Sequence, residues 1–142
     1  MLGNILAAAL VLLALGDDAD KGRSKIPPPI EQACFSVTNY WPWRDGQLAA
    51  WNGQADGDPH HTAIMIPLTL DLEWRLAAVP APLLGRTLVL GDGRELYGGD
   101  TFGAEAYRAG VFWHDTYREW VIGVDVLTRE PLHYLDCSGS VR

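Results

Sequence analysis

The chain has 142 residues, enough for one domain with its own core and short for two. Its composition is globular, 48% hydrophobic and 20% charged, with six Trp and a formal net charge of −7. That acidic balance excludes a phosphate-backbone binder, which needs a field of Lys and Arg, so no nucleic-acid partner is expected.

Residues 5–16, "ILAAALVLLALG", are apolar or small and are followed at once by "DDADKG". The run is shorter than the ~20 residues of a comfortable membrane span and fits the hydrophobic region of a secretory signal. Residues 1–16 are therefore expected to be a signal peptide or a membrane anchor, and the protein to be secreted or held in the cell envelope. Contact with a membrane is expected only through an uncleaved leader. Residues 17–33 turn polar and then proline-rich ("KIPPPIEQ"), which reads as an extended linker. The folded domain is expected over 34–142.

Cys34 opens that domain and Cys137 nearly closes it. In an exported chain two such cysteines read as one disulfide tying the ends, with two unrelated buried thiols as the alternative. There is no CxxC and no Cys/His cluster, so neither a metal nor a cofactor is expected.

The domain reads mainly as strands. "CFSVTNYW" alternates, placing Phe35 and Val37 on one face and Ser36 and Thr38 on the other. "HTAIMIPLTL" is an apolar run, and "RTLVLGDGREL" is a hairpin candidate over Thr87 to Leu90 and Arg94 to Tyr97. "EWVIGVDVL" reads as a buried strand carrying one acid, Asp125, and "PLHYLDC" as a last strand. "DGQLAAWNG" and "TLDLEWRLAAV" each have room for a short helical turn. Short strands between Gly/Pro turns indicate a small barrel or sandwich.

Few residues stand out chemically. Asp100 follows "YGG" and precedes "TFG", where an acid commonly caps a turn. Asp125 lies among β-branched residues, and a carboxylate there must be paired, hydrogen-bonded or shifted in pKa. His60 and His61 read as loop residues, because adjacent side chains on an extended chain point apart. His114 and Asp115 form a candidate pair or groove wall, with a solvated loop as the alternative. The aromatics gather in two stretches. One holds Tyr40, Trp41, Trp43 and Trp51; the other holds Tyr107, Phe112, Trp113, Tyr117 and Trp120. Such rings suit stacking on sugars. Trp120 is expected in the core, Trp41 and Trp43 on a rim.

Taken together, "TNYWPW", "HTA", "LAAVPAPLLGRTLVLGDGRELYGGDTFGA" and "VIGVDVL" resemble the double-psi β-barrel group. The resemblance is to the 3D domains, named for three aspartates, and to the MltA-like lytic transglycosylases. It covers roughly 34–137. Two departures are plain: Pro80 follows Val79 where the family keeps its first aspartate, and Phe102 replaces a glycine of the "DTGGA" turn. The last family aspartate falls on Asp125, with Asp115 as the alternative.

The resemblance implies a small six-stranded double-psi β-barrel with one or two short helices. It implies cleavage of the β-1,4 bond of peptidoglycan glycan strands by a single acid. Asp100 would be that acid and Asp125 the carboxylate beside it. Trp41, Trp43, Thr62, Trp113, His114 and Asp115 would contact the substrate. A non-catalytic barrel module binding carbohydrate or cell wall is the alternative, and in either case a monomer is expected.

Overall fold

The computed structural model describes residues 26–49 and 60–142. The expected leader, most of the linker and Trp51 lie outside the described residues. Among the described residues no helix is long and apolar enough to cross a membrane.

The domain is mainly β. Ten strands run in chain order as β1 (Cys34–Tyr40), β2 (Trp43–Arg44), β3 (Gln47–Leu48), β4 (Leu76–Ala78), β5 (Thr87–Val89), β6 (Glu95–Asp100), β7 (Phe112–His114), β8 (Glu119–Leu127), β9 (His133–Asp136) and β10 (Ser140–Val141). One short helix, α1 (Glu105–Ala109), and three single 3-10 turns complete the described elements. Eight of the strands form one mixed sheet in the order β10-β5-β6-β4-β8-β1-β9, with β7 paired to β8.

The longest ladder of the sheet is the parallel pair β1–β8, in register from Cys34↔Val121 to Tyr40↔Leu127. Parallel strands sit where both faces are covered, which suits the near-continuous apolar text of β8. Alternation then sorts the side chains. Phe35, Val37, Ile122, Val124 and Val126 enter the main core with Ala77, Val79, Leu88 and Leu96. The other face carries a smaller cluster of Leu68, Leu76 and Leu127, flanked by Tyr40, Trp41 and Trp43.

The expected closed six-stranded barrel does not form: the ladder has eight strands and stays open. Its two end strands, β9 and β10, are nevertheless joined by only three residues, 137–139. A link that short holds the two edges within about 14 Å of each other. The sheet is thus strongly rolled, and two-residue β10 is spent pairing with Val89 and Leu88 of β5. Gly139 sits in the seam, where an added Cβ would meet the Phe35 ring and lie 2.9 Å from the Val89 carbonyl oxygen.

The Cys34–Cys137 disulfide forms, with a Cα–Cα distance of 4.3 Å across a separation of 103 residues. It continues the β1–β9 ladder one step beyond Phe35↔Asp136. In the chain-entropy model a loop of that size contributes roughly 4 to 5 kcal/mol.

Two segments differ from their sequence reading, and a third keeps its expected short helical turn. "DGQLAAWNG" gives no helical turn in its described part. Asp45 and Gly46, at φ 52° and 79°, close the β2–β3 hairpin instead. "HTAIMIPLTL" makes only an isolated bridge, His61↔Pro67, because the chain doubles back through Met65 at φ 69°. "TLDLEWRLAAV" divides into a 3-10 turn at Leu70–Leu72 and strand β4.

Candidate functional site

The glycine pair before Asp100 decides which way that acid points. β6 runs beside β4 with Leu76↔Tyr97, Ala77↔Gly98 and then Ala78↔Asp100, so Gly99 is skipped as a bulge. Strict alternation would send Asp100 to the main-core side with Leu96; the extra residue turns it to the opposite face. Both glycines are needed there. A Cβ on Gly98 would lie 2.9 Å from the Leu83 carbonyl oxygen, and one on Gly99 would lie 2.7 Å from Leu76 Cδ1.

On its other edge Ala78 pairs with Asp125, and Asp125 pairs with Thr38. Asp100, Ala78, Asp125 and Thr38 therefore form one row across β6, β4, β8 and β1, all on the same face. Above this row opens a cleft of about 390 Å³. Asp100, Asp125 and Ala78 form part of its lining; Tyr40, Trp41, Trp43, Arg44 and Phe102 line it further.

Asp100 is 2% exposed. Its Oδ1 accepts the backbone N–H of Ala63 at 2.9 Å and its own neighbour's, Thr101, at 2.9 Å. The Tyr40 hydroxyl donates to Oδ2 at 3.4 Å. Tyr40 is held well above the usual phenol range by burial first, then by the charges of Asp100 and Asp125. It stays a donor at any ordinary pH.

Asp125 is less tied. Thr38 Oγ1 donates to its Oδ1 at 2.7 Å. Burial raises its pKa, the Thr38 bond opposes that rise, and the charge of Asp100 adds to it. The two acids are thus held in different ways by their surroundings.

The cleft walls are aromatic. Trp41 and Trp43 pack at 4.6 Å between centroids, and Arg129 lies over the Trp41 ring at 5.2 Å. Arg129 is in turn gripped by Glu73, which accepts its backbone N–H at 2.8 Å and its Nη2 at 2.9 Å. Phe102 covers Gly123: a Cβ there would lie 2.8 Å from Phe102 Cζ. The large residue at 102 and the missing side chain at 123 complement each other.

Of the residues singled out from the sequence, Asp100, Asp125, Trp41 and Trp43 meet in this cleft. Thr62 is fully buried beneath it. Its hydroxyl accepts the Ile66 N–H at 3.1 Å and shapes the turn that offers Ala63 N–H to Asp100. Trp113, His114 and Asp115 are not in the cleft lining. Asp115 sits exposed at the tip of the β7–β8 hairpin, and Trp113 packs edge-on against half-buried Trp120 at 5.5 Å. Trp120 is therefore not the core residue its strand position suggests.

Tyr40, Thr38 and Phe102 complete the site; of these only Tyr40 stood among the rings suited to sugars. For the first two a signal exists: Thr38 and Tyr40 share the face of β1 opposite Phe35 and Val37. Among the described residues the one grouping of metal-type ligands is Cys34, Glu119 and Cys137, and its two sulfurs are bonded to each other.

Compared with known proteins, the chain matches no family model, no curated protein and no solved structure.

Proposed function

We propose that the cleft binds a polysaccharide strand, of peptidoglycan or related chemistry, and cleaves it in the manner of a lytic transglycosylase. The carrying observation is the row Asp100–Ala78–Asp125, which places two unlike carboxylates in one aromatic-walled cleft. The short motifs shared with MltA-like lytic transglycosylases support this reading although the sheet stays open, as does a disulfide suited to an exported protein.

The surroundings favour Asp125 as the acid, exchanging the roles that the resemblance implies. A carboxyl group that donates a proton near neutral pH needs burial or a like charge; both acids have these, but two backbone N–H groups hold Asp100 in its charged form, whereas Asp125 is bonded by Thr38 Oγ1 and its pKa is raised. Its O–H protonates the glycosidic oxygen as the bond to the anomeric carbon breaks. The resulting carboxylate then takes the proton of the sugar's 6-hydroxyl, whose oxygen bonds to the anomeric carbon and closes a 1,6-anhydro ring. Asp100, anchored by two backbone N–H groups, supplies negative charge opposite the oxocarbenium-like centre.

A second reading is a binding module without turnover. It is favoured by one observation, that both oxygens of Asp100 are engaged by the protein itself. Incubating the full chain with purified sacculi separates the two. The enzyme reading expects 1,6-anhydro-muropeptides in the supernatant, lost in Asp125→Asn. Co-sedimentation with sacculi and no soluble product would support the binding module instead.

A further inference from the structure

A row of aromatic rings leads out of the cleft. Phe102, in the cleft wall, is 5.7 Å from Tyr107 of α1, and Tyr107 is 4.7 Å from Phe112 of β7. Phe112 lies 6.4 Å from His114, which stacks on Tyr117 at 4.2 Å, and Tyr117 reaches His133 of β9 at 6.1 Å. The register places the strand residues of this row on the cleft side. Phe112 pairs with Val121 and His114 with Glu119, on the face of β8 that also carries Gly123 and Asp125. Thr38, which pairs with Asp125, pairs on its other side with His133.

None of these six rings is buried, and Tyr107 is 44% exposed. A row assembled only to fill a core would have left water. Tyr and His also bring polar edges to their apolar faces. That combination matches a pyranose ring, which has a CH face and a hydroxyl rim, better than an aliphatic partner surface.

We infer that this row is a binding track for the polysaccharide chain as it leaves the acid pair, with successive sugar rings resting on Phe102, Tyr107, Phe112 and the His114–Tyr117 stack. The inference rests on the reading of the cleft as a polysaccharide site. It adds that the site is elongated and runs towards the start of β8, so long strands bind better than short ones.

The test uses the full chain carrying Asp125→Asn, so that strands are bound and not cut, and glycan strands released from sacculi by an amidase, separated by length and titrated by calorimetry. Long strands should bind about tenfold more tightly than disaccharides. The double variant Tyr107→Ala, Tyr117→Ala should lose that gain and keep its affinity for the short ones. Tyr107→Leu keeps an apolar side chain on α1 without the ring face, and it should lose part of the gain, which guards against a merely unfolded variant. Equal affinity for all lengths in the Asp125→Asn chain, or a length gain that survives the added double variant, overturns the track and leaves the cleft reading intact. No binding at any length overturns both.

Discussion

Asp100 and Asp125 flank the same residue: each pairs in register with Ala78, one from β6 and one from β8. Only a methyl group stands between the two carboxylates across β4. The Cα atoms of residues two ladder steps apart are separated by about 9 to 10 Å, and both side chains project to one face. Charge on one acid therefore bears on the other.

This arrangement predicts a specific pH dependence. The pKa of Asp125 is raised on folding, so in the range above the unfolded value the native state holds a proton that the unfolded chain has lost. Stability from this group is fully present below the unfolded pKa and is lost as pH rises through the folded one. Asp125→Asn should flatten this part of the profile and raise the melting temperature at neutral pH. Thermal melts of both chains from pH 3 to pH 8 check it; a larger loss of stability in the variant at neutral pH would contradict it.

Asp100 is expected to behave differently. Asp100→Ala leaves the Ala63 N–H without its acceptor beneath the cleft, a cost of about 1 to 3 kcal/mol. Asp100→Asn keeps an oxygen for that N–H and should lose less. Urea unfolding of the two variants decides whether the anchoring is as strong as the geometry indicates.

Gly123→Ala should push Phe102 from its seat, since the new Cβ would fall 2.8 Å from Cζ. Overpacking of this kind costs about 1 to 3 kcal/mol. Adding Phe102→Ala in the same chain should recover part of that loss. A double-mutant cycle measures the coupling, and additive effects would separate the two residues.

Glu73 and Arg129 are outside the cleft but hold its wall. Glu73 has a lowered pKa, chiefly from the Arg129 backbone and side-chain bonds, so its contribution to stability is present above the ordinary glutamate range and is lost at lower pH. Arg129→Ala removes the guanidinium from the Trp41 ring. The Trp41 indole resonance should shift and broaden, with the β1–β8 resonances unchanged.

Much of the sheet was legible in the text because alternation is a local signal. β1 and β8 follow their patterns, and the facing of Asp125 away from Ile122, Val124 and Val126 could be counted off. The hairpin at Asp45–Gly46 was also legible in principle, since Asp-Gly is a strong type I′ turn signal, but neighbouring Leu and Ala residues suggested a helical turn. The orientation of Asp100 was not accessible in this way. It depends on a bulge at Gly99, and a bulge is a property of two strands together, visible only once β4 lies beside β6. Trp113 and Trp120 fail for a similar reason: they pack on each other across the β7–β8 ladder, where the strand pattern of either one alone suggests an independent role.

The three-residue link between β9 and β10 bears on how the chain is made. β1 emerges first, yet both of its partners, β8 and β9, lie more than eighty residues further along, as does its disulfide partner. Contacts so distant in sequence are slow to form. Until residues 133–142 have been synthesised, one flank of β1 and one flank of β5 lack a neighbour, and unpaired edges of this kind invite pairing with other chains. A nascent chain would therefore carry β1 without either neighbour for most of its synthesis, and its sheet edges would be covered only when the last strands arrive.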